Sequence, residues 1–248
     1  MVEYTHLKNA PITEALIDIR IKIKENFDIE RFQTLSNTIS DQYPDKKARH
    51  RWEGRLEFKK GEGPISTSAE TVDGYIFTSA DQKQVFQARI DGFTYNRLQP
   101  YDNWEAFRNE AMKLWQLYSS LIAPDIVRVA VRYINRFNIP LFPQPLGDFN
   151  EYLTAAPIVP EGLPQGVSSF LSRIVIHDHE TDADAIITQA FEQIVDPKYL
   201  PIILDIDVFK QKELISEKDA WQTLEKMRHL KNSIFFKSIT EKTKELFK

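Results

Sequence analysis

The chain contains no cysteine in its 248 residues. That excludes disulfides, thiolate metal sites and cysteine nucleophiles, and with them a small secreted scaffold held by cross-links. Its eight glycines form neither G-x-G-x-x-G nor a P-loop, and G-x-S-x-G and H-E-x-x-H are also missing. The enzyme classes built on those signatures are not expected, although a triad assembled from distant residues stays open. No motif requires a cofactor. Nowhere do about 18 apolar residues run together as a spanning helix needs. The opening Met1-Val2-Glu3-Tyr4-Thr5-His6 lacks the basic and apolar regions of a signal peptide. The expectation is a cytoplasmic protein with no membrane partner.

What is present is ordinary for a folded chain: 42% apolar and 27% charged residues, far from the composition of disorder. The length suffices for one large domain or two small ones with a sizeable core. A formal charge of -4 argues against a surface that is all nucleic-acid footprint, so any polyanion site must be a local basic patch.

From Ala15 to Lys24, Ile17, Ile19, Ile21 and Ile23 alternate with Asp18, Arg20, Lys22 and Lys24, the period-two pattern of a half-buried strand. Asp28 is placed to cap a helix carrying Ile29, Phe32, Leu35 and Ile39, closed by Pro44. A meander of strands follows, with Trp52, Leu56 and Phe58, then Tyr75 to Thr78, Val85 to Ile90 and Phe93 to Leu98. Gly61, Gly63, Gly74 and Gly92 punctuate it. Asp102 precedes a helix with Trp104, Phe107, Ala111, Leu114, Trp115, Tyr118 and Leu121 on one side, ended by Pro124. The first half, residues 1–123, thus reads β-α-β-β-β-β-α.

The second half, residues 124–248, opens with a strand from Ile126 to Phe137. A segment over 138–166 holds six of the 13 prolines and should be irregular, with room for a short helix at Asp148 to Leu153. Strands resume at Ser168 to His177, Ala185 to Ile194 and Leu200 to Phe209. Ser216 and Asp219 form a capping box for a long C-terminal helix. That helix carries Trp221, Leu224, Met227, Leu230 and Ile234 along one side, with Phe235 and Phe236 beside them. The order β-α-β-β-β-α, and an echo of Ile90-Asp91-Gly92-Phe93 in Ile206-Asp207-Val208-Phe209, point to an internal duplication. The expected fold is therefore α+β, two similar antiparallel-sheet-and-helix halves. Its strand and helix order resembles that of the TATA-binding-protein-like fold, a likeness of architecture that carries no DNA-binding function with it.

The run Asn9-Ala10-Pro11-Ile12-Thr13-Glu14-Ala15 opens straight into the first strand. This N-x-P-[IL]-x-E-[AV] entry resembles the start of a sporadically distributed prokaryotic family of similar length. The resemblance supplies no catalytic residues. Its patchy distribution implies a mobile accessory gene, of the kind found in defence or toxin-antitoxin neighbourhoods. On physical grounds Pro11 suits a strand entry because it lacks a backbone donor, and Glu14 is placed to pair with a basic neighbour.

Three constellations carry chemistry. Arg128, Arg132 and Arg136 leave one face of their strand, and Arg20 and Lys22 do likewise on the first. Guanidinium forks suit phosphate or carboxylate, unless acidic neighbours neutralise them first. His177 and His179, with the four carboxylates of Asp178 to Asp184, offer a mixed nitrogen and oxygen metal site or a polar hairpin tip. Asp205 and Asp207 flank Ile206 and could hold a divalent ion, share acid and base roles, or pair with arginine. Three functions stay open: an interaction or sensor module with a protein partner, a homo-oligomer or a small anionic ligand; a nucleotide or nucleic-acid binder using the arginine strand; and a metal-dependent hydrolase using His177, His179, Asp205 and Asp207.

Overall fold

Ile17, Ile19 and Ile21 form the strand the sequence predicts, which starts earlier and ends at Ile21, leaving Ile23 exposed beyond it. In the computed structural model, which describes residues 7–24, 26–57, 65–141 and 148–248, β1 runs Ile12–Ile21. Its Ala15, Ile17, Ile19 and Ile21 are buried on one face. Nothing is described of the side chains of residues 53–57 and 65–69, so the expectations for Leu56, Phe58, Gly61 and Gly63 lie outside the described residues.

Around β1 the strands β2 (Asp45–Glu57), β3 (Ile65–Thr78), β4 (Gln84–Arg89), β5 (Gly92–Leu98), β6 (Ile126–Pro140), β7 (Leu171–Asp178), β8 (Ala183–Phe191) and β9 (Tyr199–Ile215) build one sheet. Its nine strands lie in the order β2-β3-β4-β5-β1-β6-β9-β8-β7, and each neighbouring pair is antiparallel. Both halves of the chain therefore share one continuous sheet, joined where β1 pairs with β6.

Helices cover one face. Between β1 and β2 the chain makes a 3-10 turn at Ile29–Gln33, capped by Asp28, and then the short α1 (Thr34–Ile39). The helix α2 spans Trp104–Ile122, and its buried Trp104, Phe107, Ala111, Leu114, Trp115, Tyr118 and Ile122 recur at helical spacing. Its N-cap is Asn103, one residue later than Asp102, and it ends on Ala123 in the left-handed conformation just before Pro124. The helix α3 spans Glu217–Ser238 with Ser216 as N-cap, packs on β6 and β9, and is followed by the short α4 (Glu241–Glu245).

The core is aromatic where α2 meets the sheet. Phe77 stacks on Phe86 of the adjacent strand at 5.4 Å, Phe86 meets Phe93 tilted at 5.3 Å, and Trp115 meets Phe93 edge-on at 5.6 Å. Such pairs add roughly 0.5–1.5 kcal/mol each beyond their area. The two long helices also clasp each other. Arg228 of α3 lies over Trp104 of α2, Arg108 of α2 lies over Trp221 of α3, and the Trp104 indole N–H donates to Glu225 at 2.6 Å.

Two expectations change in detail. The segment after β6 holds a 3-10 turn at Phe149–Glu151 in place of a short helix, with residues 142–147 outside the described ones. The echo between Ile90–Phe93 and Ile206–Phe209 is not a structural equivalence. Phe93, the second residue of β5, lies on the helix-covered face, against Trp115 and Tyr118. Phe209 sits inside β9 on the opposite face, beneath the Arg128 guanidinium at 4.6 Å. A one-residue slip in a strand exchanges faces, so a four-residue match is no guide to register.

Candidate functional site

The uncovered face of the sheet carries the arginines that the sequence singles out, and carboxylates meet each of those on β6. Arg20 and Arg128 are direct cross-strand neighbours, and both reach Asp18, at 3.4 and 3.0 Å. Asp18 also accepts from Arg89 at 3.0 Å and from the Thr94 hydroxyl at 2.8 Å. Arg128 turns its other nitrogen to Asp207 at 3.5 Å, and Arg89 holds Asp91 at 2.9 Å. Arg132 forms a two-pronged pair with Asp205, at 2.8 and 2.5 Å, and Arg136 pairs with Glu192. Lys22 is exposed just beyond the end of β1, and its backbone N–H donates to Asp125.

Asp18 is the centre of this network. Burial alone would raise its carboxyl, but the charges of Arg89 and Arg128 and the bond from Thr94 outweigh burial and hold it below the usual carboxylate range. Asp207 goes the other way: burial pushes it up against the pull of Arg128 and Arg132. A guanidinium already bonded to a carboxylate offers little to an incoming phosphate, so the face is a neutralised ion network.

The histidines lie elsewhere. His177, the last residue but one of β7, hydrogen-bonds Asp184 of β8 at 2.9 Å, with the His179 ring 4.8 Å from its own. Asp178 caps the connecting turn by accepting from the backbone and hydroxyl of Thr181. His177 and His179 are not gathered with Asp205 and Asp207. Among the described residues no three histidine or acidic side chains are grouped to hold a metal ion.

A different site lies on the helix-covered side. A cavity of about 470 Å³ is walled by the strand-entry segment Leu7–Ile12, the turn Gln99–Glu105, Tyr133 and Asn135 of β6, and Arg228, Lys231, Asn232, Phe235 and Phe236 of α3. Local bonds fix each wall. Asn9 is tied to the chain end through Phe247 and Lys248, the Pro11 carbonyl accepts from Arg136, and Gln99 N–H donates to the Thr13 carbonyl. Arg97 braces the turn through the Pro100 carbonyl and Asp102. The strand-entry motif is thus cavity wall at Asn9 and Pro11, while Glu14 accepts from the Asn96 amide and meets its basic neighbour Arg132 through charge alone, helping to hold that guanidinium protonated.

Inside, the Tyr101 and Tyr133 hydroxyls share a hydrogen bond of 2.8 Å. Burial pushes the Tyr101 hydroxyl up to about 12 and Tyr133 well above its ordinary value. Lys231 is buried, with its ammonium 3.7 Å from the centre of the Tyr133 ring. Burial, and then the nearby Arg228, lower Lys231 to about 7, and no carboxylate among the described residues counters them. The usual fate of a buried ammonium is a paired carboxylate, and here the strongest stabilising contact is an aromatic face.

Lys231 escapes a reading by composition, yet a signal exists. Leu224, Met227, Ile234 and Phe235 are buried on one stripe of α3, and position 231 falls within that stripe. A lysine where the pattern requires an apolar residue is the mark to look for. No protein-family model matches the chain, and a search of the curated proteins finds no match.

Two outcomes test the site. Asp18→Asn leaves Arg89 and Arg128 with only Asp91 and Asp207, so it should cost about 3 kcal/mol of stability at pH 7 in urea unfolding, the lower end for breaking a buried pair. An unchanged midpoint would mean that the network contributes nothing. For Lys231, the folded value lies below the unfolded one near 10.4. Between these the unfolded chain holds a proton that the native chain lacks, so stability rises with pH from about 7 to 10. Lys231→Met should abolish that slope and raise stability at pH 7 by roughly 1–4 kcal/mol. A variant less stable than the parent, with the slope intact, would contradict it.

Proposed function

We propose that the protein is a non-enzymatic sensor or interaction module acting in the cytoplasm, and that its ligand is a small carboxylate held in the Lys231 cavity. The observation that carries this reading is a buried ammonium in the cavity wall with Arg228 near it and, among the described residues, no acidic partner. Such a group is completed by an anion from outside. Arg228 adds a fork for a carboxylate, and the Trp104, Phe235 and Phe236 side chains give the cavity an apolar wall for the body of the ligand. The cavity walls come from both halves of the chain, so a bound ligand would tie them together, which is what a sensor requires.

A nucleotide or nucleic-acid function through the arginine strand has less support, because Arg128, Arg132 and Arg136 are each paired with carboxylates. A metal-dependent hydrolase has less still, given where His177 and His179 lie. The mobile-accessory setting implied by the strand-entry resemblance suits a module that reports on a metabolite. We also propose that the two halves arose by duplication in a TATA-binding-protein-like arrangement, with residues 1–123 and 124–248 as the copies. Its support is the outward strand order β1-β5-β4-β3-β2 against β6-β9-β8-β7, and the reciprocal clasp of Trp104 with Arg228 and Trp221 with Arg108. A homologous structure with its second-half strands in another order would contradict it.

Thermal unfolding with acetate, benzoate, pyruvate and phosphate tests the ligand reading. Carboxylates at a hundred times their Kd should stabilise the protein by about 2.7 kcal/mol, more strongly at pH 6 than at pH 8, because Lys231 loses its charge around pH 7. Lys231→Met should remove the effect. If no carboxylate stabilises the parent protein, the reading fails.

A further inference from the structure

The anion reading leaves one property of Lys231 unused: an amine in an apolar cavity is a nucleophile as well as a charge. We infer that Lys231 captures a small 2-oxo carboxylate covalently, as an imine, while Arg228 holds its carboxylate. This deepens the proposed function and rests on it, because the same cavity must first admit the anion.

Geometry carries the inference. Arg228 and Lys231 stand three residues apart on α3, so their side chains rise from the same side of the helix, and both line the cavity. A 2-oxo acid presents a carboxylate and a carbonyl on adjacent carbons, a spacing that two neighbouring side chains can meet together. Arg228 is anchored by Glu225 at 3.0 Å and by the Trp104 ring at 5.6 Å, which leaves further guanidinium donors for a ligand. Lys231 is buried against the Tyr133 ring, and among the described residues no acid pairs with it, although Asp102 and Glu105 line the same cavity. A desolvated lysine beside another cation is the arrangement that frees an amine lone pair near neutral pH.

The reaction needs no other reactant. The Nζ lone pair adds to the carbonyl carbon, forming a C–N bond, and the carbonyl oxygen becomes a hydroxyl. That oxygen then leaves as water with both hydrogens of the amine, and a C=N bond remains. The charge on the neighbouring carboxylate stays with Arg228. Reversal by water releases the ligand, so capture suits a sensor that must reset.

The test is reductive trapping of the full-length protein at pH 7 with pyruvate and sodium borohydride, read by intact mass and peptide mapping. The expected product carries one adduct, equal to the mass of pyruvic acid less one oxygen atom, located on Lys231. An amine at the ordinary lysine value near 10.4 is almost wholly protonated at pH 7 and reacts little, so Lys231→Met should lower the adduct by at least about tenfold. Circular dichroism confirms that the variant is folded, and excess acetate should slow trapping in the parent protein. Adduct spread over other lysines and unchanged in Lys231→Met would overturn the inference. Should pyruvate and acetate stabilise the protein through Lys231 without any trapped adduct, imine capture fails and the anion site stands. Should neither stabilise nor trap, both fail together.

Discussion

The pairing of β1 with β6 is the constraint on which the rest of the molecule depends. It turns two sets of strands into one nine-stranded sheet and puts residues from both halves within reach of each other on either face. On the covered face, Ile17 lies opposite Val131 and Ile19 opposite Val129, all four fully buried. On the open face, Asp18 gathers Arg89 from β4 and Arg128 from β6 across the same junction. A slip of one residue would expose the isoleucines and bury the charges apart from their partners, so register is over-determined there. Buried ion pairs contribute little net stability, and their value here is in excluding the wrong pairing.

The same junction makes the cavity. Tyr133 of β6 forms its floor, the segment leading into β1 forms one wall, and α3 brings Arg228 and Lys231 across it. A core that can be filled with leucine gains nothing from a lysine, and the helix has leucine, methionine and isoleucine at the neighbouring buried positions. A residue that breaks its own element's pattern at a cost of stability points to function at that position. The sheet's open face shows the opposite case, in which conspicuous charges pair off and leave a structural network.

Much of the fold was legible. Period-two isoleucines marked β1, helical spacing of aromatics marked α2, and Ser216 marked the start of α3. These features depend on neighbours in sequence, which is why they could be read there. The fate of the arginines depends on Asp18 and Asp205 on other strands and on Glu192 just past the end of β8, which come into range only through the sheet order. His177 finds its partner Asp184 across the hairpin and nowhere near Asp205, which only the strand order reveals. Lys231 is hard to read as a site because its meaning lies in what surrounds it: a tyrosine face from β6 and, among the described residues, no carboxylate paired with it, although Asp102 and Glu105 line the same cavity.

The claim at the centre of this account is that Lys231 is a buried amine completed by an anion. Its ionisation can be followed directly by NMR of protein carrying labelled lysine side chains, with Lys231→Met to assign the signal. Lys231 should titrate near 7 in the free protein and move upward when a carboxylate is added, because a paired anion favours the charged form. A Lys231 signal that titrates at the ordinary lysine value near 10.4, and that carboxylates leave unmoved, would contradict the account.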